Sequence, residues 1–458
     1  MAAPFTAVIS VEKSFAGTAR HRRTFRACGA TRSGSRTVLG GSFAEGPQAN
    51  PGHLLRYAGT APAATSPMVR LNVKKLPSSH GMVGGALIAL LLGASILTAC
   101  QATSAQWNNG KMTSPDYAMQ VMLWGNAPTT ERDLELVKNA GFRWIKQMFQ
   151  WNYIEGKGKG RFEWNEPDRI VSAVEAKKLK ILARLDVAPM WARGPDADPG
   201  LHGPPTNYQD FADFVGALAQ RYKGRIGAYQ IWNEPNLARE WNGQAPSATD
   251  YVKLLKLAYQ AIKAADPEAI VISAGLSPTT ASGAIATPDV EYLKQMYAAG
   301  AKEYFDMLGV HGAGFKSPPE ADPAVVARDP ALTNNDPSPE NLRRSYSFRH
   351  IEDLRQVMVA NGDEKKQVAI LEFGWTSDQR PESQYAWHAV SEEMKAQYLV
   401  GAFKYAREHW QPWIGVMSLI YICSPSWTPN DEQYWWSITD EKGNPRPAYN
   451  ALKEMKKS

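Results

Sequence analysis

Two glutamates in this chain each close a run of apolar residues. Glu234 stands in Trp232-Asn233-Glu234-Pro235 after the run 226–231, and Glu372 stands in Leu371-Glu372-Phe373-Gly374 after the run 368–371. A carboxyl group at the end of a buried strand is held rigidly, and two such groups can divide the work of acid and nucleophile. Cleaving a glycosidic bond requires that division: one carboxylic acid protonates the leaving oxygen while one carboxylate attacks or stabilises the oxocarbenium-like carbon. The two glutamates are 138 residues apart, room for about three βα units.

Residues so far apart must be brought together by the fold. In a parallel barrel the carboxyl ends of the strands converge on one cleft, so glutamates on the fourth and seventh strands would face each other. Eight strand-like segments are found at 118–123, 143–150, 180–187, 226–232, 269–274, 305–311, 367–373 and 414–421. Between them lie stretches with apolar residues at helical spacing, among them 211–218, 251–262, 342–359 and 396–406. Eight strands alternating with helical stretches predict an α/β fold, a single (β/α)8 TIM barrel. No glycine-rich phosphate loop follows the first strand, which argues against nucleotide binding. The irregular segment 312–339 follows the sixth strand and would lie over the cleft, as a substrate-shaping lid or as an insertion of no function.

With Asn233-Glu234-Pro235 ending the fourth strand and Glu372-Phe373-Gly374 ending the seventh, the chain resembles the clan A glycoside hydrolases. His311 at the end of the sixth strand and Ala188-Pro189-Met190-Trp191-Ala192 after the third add to the likeness. Together they point toward the β-xylosidase and α-iduronidase family (family thirty-nine) or the cellulase family (family five). The resemblance implies Glu234 as acid/base, Glu372 as nucleophile and Asn233 as the ligand of the sugar 2-hydroxyl. It implies a retaining double displacement on a poly- or oligosaccharide, with no metal or cofactor required. Transglycosylation and silent sugar binding are the alternatives. Glu234 is then expected to have a raised pKa in the free enzyme, lowered once Glu372 is esterified.

A decoy sits upstream. Trp164-Asn165-Glu166-Pro167 repeats the tetrapeptide, but it leads into Asp168-Arg169-Ile170-Val171, where acids suit the positive end of a helix and proline its first turn. Glu166 is therefore read as a helix-start residue. Glu155 is read as a loop-fixing carboxylate. His311 is expected to support the nucleophile, and Trp151, Trp191, Trp375 and Tyr421 to contact substrate. Trp427, Trp435 and Trp436 are further aromatic candidates. Arg184 and Asp186, on one face of the third strand, form either a buried ion pair or the polar floor of the site.

The first hundred residues carry a different message. The uncharged run 83–97 follows Arg70, Lys74 and Lys75 and precedes Thr98-Ala99-Cys100, the anatomy of a secretory signal. Leu97-Thr98-Ala99-Cys100 resembles the lipobox of bacterial lipoproteins, which implies Cys100 as the lipidated residue and a lipid anchor at the cell envelope. The organisation expected is a non-native or misassigned extension over 1–67, a signal over 68–100, a polar tether over 101–115 and the catalytic barrel over 116–458. Residues 1–100 hold eleven basic and two acidic residues, so 101–458 carry about −3 and the basic character of the whole chain does not indicate a nucleic-acid partner. The expected partner is carbohydrate, with membrane contact only through the lipid. Three cysteines without CxxC spacing give neither a disulfide framework nor a metal motif, and Cys423 reads as a lone buried thiol.

Overall fold

Eight short strands form where the apolar runs were found: β1 (Asp116–Gln120), β2 (Trp144–Met148), β3 (Lys180–Leu185), β4 (Ala228–Ile231), β5 (Ile270–Ile272), β6 (Met307–Ala313), β7 (Gln367–Gly374) and β8 (Ile414–Leu419). The computed structural model describes residues 111–457. The expected extension, signal, greater part of the tether and lipid site at Cys100 lie outside the described residues. The strands pair in sequence order and β8 pairs with β1, all parallel, so the sheet closes on itself.

One principal helix follows each strand: α1 (Ala127–Asn139), α2 (Asn165–Ala176), α3 (Tyr208–Arg221), α4 (Ala248–Ala265), α5 (Asp289–Ala298), α6 (Ile351–Ala360), α7 (Glu392–His409) and α8 (Pro447–Glu454). Asn207, Ser247 and Ser391 cap α3, α4 and α7 by accepting from the amides of Gln209, Asp250 and Met394. The expected helical stretch 342–359 resolves into short turns, with a regular helix only from Ile351. There, at the head of α6, His350 is buried between Asp289 at 3.0 Å and Asp353 at 2.9 Å. The segment 312–339 holds a short helix, Pro323–Arg328, and packs Phe315 and Val326 against Tyr346. Cys423 is a buried free thiol.

Two apolar layers result. The outer one lies between barrel and helices, and the inner one fills the barrel with Ala118, Trp144, Leu182, Ala228, Ile270 and Val416 among others. Side chains alternate along a strand, so positions two residues further on also point inward. Among those positions are Lys146, Arg184 and Gln230, all buried. The barrel interior thus turns from apolar to charged toward its carboxyl end, where the two glutamates stand.

Candidate active site

The chain leaves β4 through two residues in the left-handed region, Trp232 (φ 69°) and Glu234 (φ 41°). Each such non-glycine residue costs about 1–3 kcal/mol and persists only where its surroundings hold it. Here the Trp232 amide donates to Leu185 O at 2.9 Å and the Glu234 amide to Gly275 O at 3.0 Å. The Trp232 ring turns outward, edge-on to Phe211 and Trp241. The Glu234 carboxylate turns into the barrel mouth, 1% exposed.

Glu372 reaches the same place by a different device. Against β6, Val310 pairs with Ile370 but His311 pairs with Glu372, so Leu371 is an extra residue in β7. The pairing with β8 shifts across the same stretch. Strict alternation would send Leu371 inward and Glu372 outward. The bulge lets both face the interior, Leu371 in the inner apolar layer and Glu372 against charged partners. Lys146 Nζ lies 2.7 Å from Glu372 Oε1 and donates to Leu371 O at 3.0 Å. Arg184 Nη1 stands 3.4 Å from the same carboxylate oxygen and also pairs with Asp186.

His311 joins the two sides. Its Nδ1 is 3.0 Å from Glu234 Oε1 and 3.9 Å from Glu372 Oε2. The ring lies so close over Gly275 that a Cβ there would meet His311 Nε2 at 2.2 Å, which makes glycine obligatory. The same Gly275 carbonyl receives the Glu234 amide, so one residue of the β5 loop positions both groups. Glu234 Oε2 is taken by the guanidinium of Arg239, from the short turn Ala238–Glu240.

The charges set the protonation states. Burial pushes the Glu234 carboxyl upward, but Arg239 and His311 more than offset it, and its pKa falls to about 2. Burial likewise raises Glu372, and Lys146, His311 and Arg184 bring it down to about 2 against the repulsion of Glu234. Burial lowers Lys146 to about 8, with Glu372 pulling the other way. The raised pKa expected for Glu234 is therefore corrected: Arg239 on Oε2 and His311 on Oε1 stabilise the anion more than burial destabilises it.

The remaining residues divide between cleft and core. Asn233 is buried beside Glu234, its Oδ1 accepting from Gln230 Nε2 at 3.2 Å. Tyr421 shares a cluster with Met122, Met148, Tyr385, Trp427 and Trp436, from the loops and strand ends of the barrel mouth. Trp191 is half-buried, its Nε1 donating to Glu155 O at 2.7 Å. Trp435 donates to Pro429 O at 2.9 Å in the loop after β8. Trp151 and Trp375, expected on the substrate, are each 0% exposed and belong to the core. Trp151 stacks on Phe214 of α3, and Trp375 packs on Phe348 and Tyr398, because both side chains fall on the helix side of their strand ends. Glu155 accepts from Trp151 Nε1 at 2.6 Å and from the Gly160 amide, which fixes its loop. Glu166 lies in the first turn of α2, bonded to Arg169 and to the Gly125 amide. Arg184 and Asp186 are both an ion pair and the floor of the site.

Lys146 and Arg239 went unread in the sequence. A lysine in the middle of Trp144-Ile145-Lys146-Gln147-Met148, a strand buried throughout, was the available signal for the first. Arg239 had none, since it occupies an ordinary loop five residues after Glu234.

The cellulase family model (glycosyl hydrolase family 5) matches residues 100–306, a stretch that includes Glu234 and ends before Glu372. No curated protein sequence matches the chain. Among solved structures, a family 39 glycoside hydrolase from Bacteroides cellulosilyticus WH2 is 20% identical, with a TM-score of 0.54 over 75% of this chain and 63% of that one. A family 39 enzyme from Xanthomonas axonopodis pv. citri is 16% identical, with a TM-score of 0.50 over 74% and 65%. Native xylanase 10B from Thermotoga maritima is 14% identical, with a TM-score of 0.50 over 76% and 96%. The chain thus spans less than two thirds of the two family 39 proteins. These structures share its fold. The expected resemblance to clan A holds, with families thirty-nine and five both among the matches, and glycoside hydrolase is the class of the matching family.

Proposed function

We propose that the protein hydrolyses O-glycosidic bonds of a poly- or oligosaccharide with retention of configuration, Glu372 attacking the anomeric carbon and Glu234 serving as acid and then base. The observation that carries this reading is the single His311 nitrogen that lies against both carboxylates. Its two contacts bound the distance between the facing oxygens at about 7 Å, which is compatible with the ~5–5.5 Å of retaining enzymes and with the lower end of the ~6.5–9.5 Å range of inverting ones, so the stereochemistry of the product decides between them.

In the first step the Glu372–carbon bond forms as the carbon–oxygen bond to the leaving sugar breaks, and that oxygen takes a proton from Glu234. Water then attacks the esterified carbon, giving its proton to Glu234 and releasing Glu372. Lys146 and Arg184 keep Glu372 ionised for attack and lose their counterion while the ester exists, which favours its return as carboxylate. Asn233, fixed by Gln230, is placed beside Glu234 to hold the 2-hydroxyl.

The test is turnover of aryl glycosides and polysaccharides by the protein, by Glu372→Ala and by Glu234→Ala. Retaining hydrolysis predicts inactivity of Glu372→Ala, rescue of Glu234→Ala by azide with activated substrates, and a product of unchanged anomeric configuration on NMR. An inverted product or an active Glu372→Ala would overturn the assignment. The proposal includes attachment to the cell envelope through a lipid on Cys100, which labelling of the wild type and of Cys100→Ala with radioactive palmitate would test.

A further inference from the structure

Both oxygens of the Glu234 carboxylate are occupied in this site, Oε1 by His311 and Oε2 by Arg239. If Glu234 is the acid, as proposed above, one oxygen must be freed to carry a proton toward the leaving sugar. His311 is fixed on β6 and packed over Gly275, its side chain 2% exposed. Arg239 stands on a three-residue turn with its side chain 22% exposed. The arginine is therefore the partner that gives way.

Its departure creates a charge problem. A protonated Glu234 no longer balances the guanidinium. The next carboxylate, Glu240, has Oε1 3.6 Å from Arg239 Nε, beyond hydrogen-bond reach, and Oε2 facing His202 Nδ1 at 3.1 Å. Arg239 Nε itself is buried and makes no hydrogen bond among the described residues. A largely enclosed guanidinium left with one counterion beyond hydrogen-bond reach is under-compensated, and sugar hydroxyls can accept its hydrogen bonds without offsetting its charge. A carboxylate can do both, and the planar fork of arginine fits one by two parallel bonds.

We propose that Arg239 binds a carboxylate on a sugar that flanks the cleaved bond, so that the substrates are acidic glycans, and that this binding draws the guanidinium off Glu234. Neutral glycans would leave the acid paired and blocked.

The experiment uses the protein with Glu372→Gln, so that binding is read without turnover. Oligosaccharides from glucuronoxylan and from xanthan are titrated by calorimetry, each beside the same fragments after reduction of their carboxyl groups to alcohols. Acidic fragments should bind about tenfold tighter than their reduced counterparts. Adding Arg239→Gln should abolish the difference, and Arg239→Lys should restore part of it, with circular dichroism melts confirming that the variants are folded. Equal binding of the two forms, binding of neither, or a preference that survives Arg239→Gln overturns the proposal. Turnover of the same fragments by the wild type is scored separately. Arg239-dependent acidic binding without turnover keeps the carboxylate site and removes the hydrolase reading. Turnover of reduced fragments as fast as acidic ones keeps the hydrolase and removes the carboxylate site.

Discussion

Lys146 Nζ contacts both the carboxylate of Glu372, at 2.7 Å, and the carbonyl oxygen of the extra residue that presents it, Leu371, at 3.0 Å. One ammonium group, 0% exposed, thus fixes the charge state of Glu372 and the backbone that aims it.

Lys146→Met should therefore fail on two counts. Without the cation the Glu372 pKa, now about 2, rises, and the acid limb of the kcat/KM profile moves up with it. Leaving a buried carboxylate short of a partner should also cost about 3–5 kcal/mol in denaturant unfolding. An unshifted pH profile would show that Lys146 does not act on Glu372.

The duplicated tetrapeptide permits an internal control. Glu166 bonds Arg169 and the Gly125 amide at a half-exposed helix start, so Glu166→Ala should cost only ~0.5 kcal/mol of stability and leave turnover of activated aryl glycosides within about twofold. Loss of activity in this variant as deep as in Glu234→Ala would mean that the two motifs had been told apart wrongly.

Buried and half-buried tryptophans should separate by phenotype. Trp375→Ala should lose about 3–5 kcal/mol in thermal or denaturant melts, because it empties a packed site in the core. Trp191→Ala should melt nearly as the wild type and raise KM about three- to tenfold, the ~0.5–1.5 kcal/mol of a ring contact. The reverse pattern would place Trp375 at the sugar.

His350 gives the fold a pH dependence of its own. Burial lowers its pKa, but Asp289 and Asp353 raise it further, to about 9. A raised folded pKa means that the stabilisation is complete below the ordinary histidine range near 6.5 and is lost as pH rises through about 9. The unfolding free energy should fall between pH 7 and 9.5, and His350→Asn should flatten that part of the curve while lowering stability at pH 6. A parallel slope in wild type and variant would assign the effect elsewhere.

The strands and the two glutamates were legible because each depends on local signals: short apolar runs, and a carboxylate where the run stops. α8 was overlooked, although Pro447 at its first turn and Ala448, Tyr449 and Leu452 at helical spacing announce it. The partners of the glutamates were less accessible. Lys146 meets a residue 226 positions away, a distance at which periodicity carries no information. The misplacement of Trp151 and Trp375 has a related cause. At a strand end, whether an aromatic enters the cleft or the helix layer depends on one residue of register, and the bulge at Leu371 alters register just before Trp375.

A regular strand offers inward-facing positions only every second residue, about 6.6 Å apart along the strand. Leu371 breaks that quantisation in β7. The height of Glu372 above the barrel floor is thereby uncoupled from the direction it faces. The depth of the cleft at Glu372 can then be adjusted in β7 without rebuilding the other seven strands.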